Sequence, residues 1–383
     1  MINFLKEYLH KYILLHDQRQ QWKIKYEIEN IFILIFIGYL CSYTNILSIS
    51  HFIQRNKNIF QKYELLDEEN CPSKSTIYRT LDIISWQEIK TIGKDIYDAL
   101  PNDIKNDISN PRRISKILDG KFIISSKRGR KRGYNIVTVL DPIANIPLNQ
   151  YCVTTHDSEK NALPYLVQTL HVDDILSGDA IYCNHKNMLL LNENHINFVF
   201  TLKKNNKKLY KLTKYVMNDQ DLLLTCDHYE KQTFLDVKNG YVIKRTFEKI
   251  DYNSTFDELL DKDECSVGIH SCIKRTIEKY HKRTGKTTKT VNYFVSSLKD
   301  MDKIIKVINE HWLIESYHWC LDVVLNEDHC SVTNKNVAMI LNIIRKLVLL
   351  TMQLPSFQMK GISKADCLKV NLENIDACIQ KLV

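Results

Sequence analysis

The chain has 383 residues, of which 44% are hydrophobic and 26% charged, a globular composition that excludes disordered, collagen-like and fibrous classes. Its 10 glycines and 7 prolines argue against a long flexible linker, and 53 basic against 45 acidic residues leave a net charge of +8 that favours a polyanionic partner. Eleven cysteines without a CxxC pair point to a reducing compartment and away from a zinc ribbon.

Residues 1 to about 105 read as mostly helical. Glu27 to Leu40 is apolar enough for a buried helix, and Ser75 stands as a capping serine before the periodic run Thr76–Leu81. The apolar run around Ile31–Ile37 reaches about eleven residues, short of the ~20 a membrane span needs. With no signal-peptide layout at the N-terminus, the expectation is a soluble intracellular protein without a membrane partner.

From Ile114 the pattern changes to short β-rich runs: ISKILDGKFIISS, YNIVTVLD and IPLNQYCVT. Ala162–His171 reads as helix, Asp173–Ala180 as a buried strand, His185–His195 as helix and Asn197–Lys203 as another strand. That is an α/β order with the last strands parallel. Residues from about 205 to 290 read as a β-rich insertion. Thr225–Glu230, Thr233–Val237 and Gly240–Ile250 are its expected strands. An acidic block, Asp251–Glu264, is followed by a basic one, Ile273–Lys289, and both are expected on solvated surface. Val291–Leu298 returns as a strand. Helices then run over Met301 to about Leu325, Val337 to about Gln353, and beyond Lys364.

Three acids stand out. Asp119 lies inside the apolar run Ile117–Ile123, where aspartate is disfavoured, and Gly120 beside it permits close backbone approach. A bulge or turn that happens to contain Asp-Gly explains it equally well. Asp179 falls at the carboxyl end of an expected strand, where α/β sheets place their ligand sites. A helix cap is the plainer reading. On a helical wheel of about 100° per residue, Glu315 sits between Ile308, Trp312 and Trp319 on one side and His311, His318 and Asp322 on the other. It is either a partly exposed acid paired with His311 or His318, one ligand of a transition-metal set with those histidines, or a carboxylate whose charge a cation compensates. Taken together, two acids on adjacent strands and one on a later helix can hold two hard cations through oxygen.

Two basic runs lie beside the expected site strands: Lys127, Arg128, Arg130, Lys131 and Arg132, and then Lys203, Lys204, Lys207 and Lys208. Each reads as DNA-backbone contact or as solvated surface. Tyr280 and Tyr293 are candidates for stacking on a displaced base.

Six blocks, CPSKSTIYRTLD (71–82), LDGK (118–121), SGDAIYCN (177–184), FVFTLKKNN (198–206), YFVSSL (293–298) and HWLIESYHWCLDVVLNED (311–328), stand in an order that resembles the DDE insertion-sequence transposases, in particular the H-repeat-associated group. The resemblance implies a ribonuclease H-like α/β core over 112–350, interrupted at about 205–290 by the β-rich insertion, with a helical DNA-binding region at 1–105 and a helical tail at 351–383. It implies Asp119, Asp179 and Glu315 as the catalytic and metal-binding triad, holding two Mg²⁺ ions with Mn²⁺ as substitute; His311, His318 and Asp322, beside Glu315 on the wheel, are read as its support. The implied reaction is metal-dependent cleavage and strand transfer at the ends of an insertion sequence. The implied partners are double-stranded DNA (terminal repeats and target) and a second copy of the chain on that DNA. The implied location is the bacterial cytoplasm, on the nucleoid when DNA is bound. Ser316, Asn309, Ile124, Lys204 and Asn206 depart from the group's pattern. A catalytically silent, transposase-derived DNA-binding protein is the alternative, and a metal-free hydrolase using Asp119 and Glu315 is a second.

Overall fold

The computed structural model describes residues 1–13, 17, 19–67, 70–108, 115–123, 133–153, 158–226, 228–252 and 267–383. The helices α1 (Ile2–Ile13), α2 (Ile28–Leu40), α3 (Ile46–Arg55), α4 (Lys57–Lys62), α5 (Lys74–Ile83), α6 (Ile92–Ala99) and α7 (Asn102–Ile108) come first. Strands β1 (Ser115–Ile123), β2 (Tyr134–Asp141), β3 (Ile146–Val153) and β4 (Ile175–Gly178) lead to α8 (His185–Glu193), β5 (Asn197–Leu202), α9 (Lys207–Val216) and α10 (Gln220–Thr225). Then come β6 (Glu230–Lys238), β7 (Tyr241–Asp251), β8 (Ser271–His281) and β9 (Thr287–Ser296). The chain ends with α11 (Met301–His311), α12 (Leu313–Trp319), α13 (Lys335–Thr351), α14 (Lys364–Glu373) and α15 (Ile375–Gln380). The chain is thus a mixed α/β protein. No helix among the described residues is long and apolar enough to cross a membrane.

Two compact units divide the chain: Met1–Arg113, Gly120–Asp157 and Ile314–Val383 form one, and Ile114–Asp119 with Ser158–Leu313 form the other. In the first unit, α2 is apolar all round and buried along its length, so it can only be the centre of a bundle. It packs against α1, α3, α5, α13 and α14. The residues that cap these helices are polar and local. Asn45 accepts from the Ser48 amide, Asn334 from Val337 and Ser363 from Asp366. The cap of α5 is Ser73, which accepts from the Thr76 amide, so the helix begins a half-turn before the expected Ser75. β2 and β3 form an antiparallel pair, and α6 lies on β3 so closely that a Cβ on Gly93 would stand 2.9 Å from Pro147.

The second unit holds a sheet in the order β1–β4–β5–β9–β8–β7–β6, in which β1, β4 and β5 run parallel and the rest antiparallel. α11 packs on β4 and β5, and Ile304, Ile305, Val307 and Ile308 join Ile175, Val199, Phe247, Ile273 and Phe294 in one apolar core. This amphipathic spacing is what the sequence of α11 prescribes.

Several local expectations are corrected. Ala162–His171 is not an α-helix but successive 3₁₀ turns, because Pro164 withholds a donor and the chain closes i→i+3 bonds, as from Tyr165 to Ala162. Thr225–Glu230 is not a strand: Asp219 caps α10, which runs to Thr225, and pairing starts only at Glu230. The helix expected from Met301 to Leu325 breaks at Trp312 and ends in a π turn over Cys320–Val324. Within the basic block, Ile273 and Arg275 are buried, not solvated. Tyr293 is also unavailable for base stacking, since its ring is buried, its hydroxyl takes a 2.9 Å bond from Asn218, and Tyr210 packs on it edge-on.

Candidate active site at the strand ends

β1 and β4 pair in parallel through Leu118 and Gly178, so Asp119 and Asp179 are the next residues of two adjacent chains at the carboxyl end of the sheet. Asp119 remains inside β1 and Gly120 continues that strand, which removes the turn reading. Asp179 precedes a 3₁₀ turn over Ala180–Tyr182, but its side chain makes no capping bond there, which removes the cap reading. The small residue before it has a steric reason: a Cβ at Gly178 would stand 3.0 Å from the Tyr182 ring and 3.1 Å from Phe200. Asn205 donates to the carbonyl of Ala180 and so holds the turn that follows Asp179.

A short relay supports Asp179. The Ser177 hydroxyl donates to the Lys116 carbonyl at 3.2 Å, which leaves its oxygen to accept from Nδ1 of His311 at 3.1 Å. That bond turns Nε2 of His311 toward Asp179, 3.9 Å away. The imidazole, with Lys203 beyond it, holds the Asp179 carboxyl below the usual range. Tyr182 backs the pair. Burial, the 2.7 Å bond to Glu159, and the negative charges of Asp119 and Asp179 together push its phenol well above normal. Two carboxylates on neighbouring strands, the one on Asp179 held below its usual range, suit a hard divalent cation in their chemistry.

Glu315 lies in the first turn of α12, is exposed, and belongs to the other compact unit. The two tryptophans read as a packing face, Trp312 and Trp319, are 47% and 55% exposed, because the helix breaks between Trp312 and Leu313 instead of laying one continuous face on a core. His318 lines a small cavity with Lys121, Glu327 and Lys346, and burial, then Lys346 and Lys121, push its imidazole down to about 4. Asp322 contacts Lys121 at 2.6 Å. His311 and His318 therefore face different partners. Among the described residues no three His, Cys, Asp or Glu side chains form a group that could hold a metal ion.

Of the basic residues, Lys203 and Lys204 follow β5, and Lys207 and Lys208 open α9, all four exposed. Lys127, Arg128, Arg130, Lys131 and Arg132, with Ile124, lie outside the described residues. Sequence reasoning missed Ser177, Glu159, Tyr182 and Lys121. Only Lys121 carried a usable signal, as a lone cation inside an otherwise apolar strand two residues from Asp119.

The profile of the family described as Transposase DDE domain matches residues 110–351, and that described as DDE_Tnp_1-associated matches residues 11–95. Among curated proteins the chain is 23% identical to the H repeat-associated putative transposase YhhI of Escherichia coli K12, over 90% of each chain. It is 24% identical to the putative transposase YncI of Escherichia coli O157:H7, over 87% of this chain and 84% of that one. It is also 23% identical to the putative protein YbfL of Escherichia coli K12, over 90% of each.

Proposed function

This chain belongs to the transposase DDE domain family, and from that premise we propose that it is an active DNA transposase with a ribonuclease H-like core, cleaving and joining DNA at insertion-sequence ends. One observation carries the proposal. Asp119 and Asp179, sixty positions apart in sequence, stand one residue past the Leu118–Gly178 pair of two parallel strands, within the stretch that matches the family.

Asp119, Asp179 and Glu315 would together hold divalent cations, Mg²⁺ first and Mn²⁺ as substitute. Bound there, such ions neutralise charge on a phosphodiester and favour ionisation of an attacking water or 3′-hydroxyl. The chain's own residues do the remaining work. Nε2 of His311 stands 3.9 Å from the Asp179 carboxylate and bounds it on one side. Lys203 and Lys204, one and two residues past β5, offer charge to a phosphate backbone beside that carboxylate, and Lys207 and Lys208 extend the row. The helical region at 1–105 is assigned to recognition of the element's DNA ends. The partners are double-stranded DNA and, because two ends must be processed, a second copy of the chain. The site of action is the bacterial cytoplasm, on the nucleoid.

Nicking of supercoiled plasmid with Mg²⁺ tests the reading. Wild-type protein nicks and EDTA stops it, while Asp179→Asn binds DNA and loses at least ~100-fold in rate, the upper end of what loss of a metal-site partner removes. The rival reading, a silent DNA-binding relative, is favoured by the lack of a three-ligand metal group among the described residues. DNA binding by wild type and variant alike, without nicking by either, would establish it.

A further inference from the structure

Lys121 lies on β1 two residues beyond Asp119, and its side chain is only 10% exposed. Its ammonium reaches three carboxylates: Asp322 at 2.6 Å, Glu327 at 2.9 Å and Asp328 at 3.5 Å. All three come from the stretch that begins seven residues after Glu315. Glu327 is wholly buried and takes a second bond, 2.8 Å long, from Asn342 on α13. Arg345, also on α13, stands 3.9 Å from Glu327, donates to the Leu325 carbonyl at 3.2 Å, and lies over the Tyr39 ring. Asn326, between these contacts, takes a left-handed backbone conformation that turns the chain.

Such a cluster is a poor device for stability alone. Burying an ammonium and carboxylates carries a desolvation penalty that well-packed apolar side chains of equal volume avoid, so its return must be sought in geometry. Opposed charges fix direction as well as distance. The three acids follow Glu315 on one covalent run, α12 and then the π turn, so anchoring them limits the travel and rotation of Glu315. A slip of one helical turn would displace that carboxylate by about 5.4 Å, and misplacements of about 1 Å already cost roughly 100-fold in rate.

We propose that Lys121 is a positioning residue, a clamp that holds the 322–328 segment against the strand just past Asp119 and thereby sets the place of Glu315. The inference rests on the transposase reading and names a part of its site that no relative's description assigns. Nearby groups do not supply the same clamp. Lys346 is turned to Thr138 and Gln150, at 2.8 and 2.6 Å, and Arg345 approaches Glu327 from the α13 side.

The test compares wild type, Lys121→Met and the charge-neutral variant Lys121→Met/Asp322→Asn by plasmid nicking, by Mn²⁺ titration calorimetry without DNA, and by thermal melting. The neutral variant leaves Glu327 ionised with Asn342 and Arg345 still against it, so neither of those buried charges loses its remaining partner. It is expected to lose about 10–100-fold in kcat and in Mn²⁺ affinity while its KM for plasmid stays unchanged. Wild-type kcat and Mn²⁺ affinity in that folded variant would overturn the clamp and leave the transposase reading standing. Unfolding of the neutral variant would also overturn it, since Lys121 would then support the fold and not the site. A wild-type protein that neither nicks nor binds Mn²⁺ would overturn both.

Discussion

Single side chains carry most of the chemistry, and two of them show how context changes a residue's meaning. His311 and His318 are one helical repeat apart in sequence, and the wheel puts both beside Glu315. The break at Trp312 separates them: His311 ends α11 and serves Asp179, whereas His318 points into a cavity with Lys121 and Lys346. That cavity has a pH consequence. A histidine whose folded pKa is about 4 against an unfolded value of 6.5 binds fewer protons folded than unfolded between those limits. Stability is therefore complete above pH 6.5 and falls as pH drops toward 4, with ~3 kcal/mol at stake. Urea denaturation from pH 7 to 4 should show this fall in wild type and a shallower one in His318→Gln. An equal slope in both would place the acid sensitivity elsewhere.

At the level of elements, the contact between β4 and the turn after it decides whether Asp179 is held. Gly178→Ala forces a methyl group to 3.0 Å from Tyr182 and 3.1 Å from Phe200, both buried rings. Overpacking of this kind costs about 1–3 kcal/mol, which a denaturant melt will register, and nicking should fall further than stability predicts because Asp179 follows directly. Most elements were legible because their patterns are strong. The uniform apolarity of α2 and the short, largely buried runs of β2, β3 and β4 made these elements readable. The failures have physical causes. Pro164 turned an expected helix into 3₁₀ turns, and α11 to the π turn kept a helical hydrophobic period across a break that the period does not register. Of the site, the acids were legible as charges out of place in apolar runs. Ser177, Glu159 and Tyr182 were not, because each looks ordinary in its own segment and gains its role only by approaching a residue remote in sequence. The carboxylate partners of Lys121 were hidden for the same reason.

For the whole molecule, the excess of 8 positive charges over negative is modest, so DNA affinity must come from local clusters and not from net charge. The exposed row Lys203, Lys204, Lys207 and Lys208 is proposed as one such cluster. If each neutralises one phosphate, replacing all four with alanine lowers the slope of log K against log salt by about 4. Filter binding across a salt series measures it, and an unchanged slope would assign these lysines to solvent.

The proposed transposase activity requires Asp119 and Asp179, neighbours on their strands, and Glu315 each to act as a ligand of bound divalent cations. Electron paramagnetic resonance of Mn²⁺ bound to wild type, Asp119→Asn, Asp179→Asn and Glu315→Gln addresses this directly. Each substitution is expected to weaken or alter the same bound-Mn²⁺ signal. A Glu315→Gln protein with the wild-type signal and affinity would contradict it.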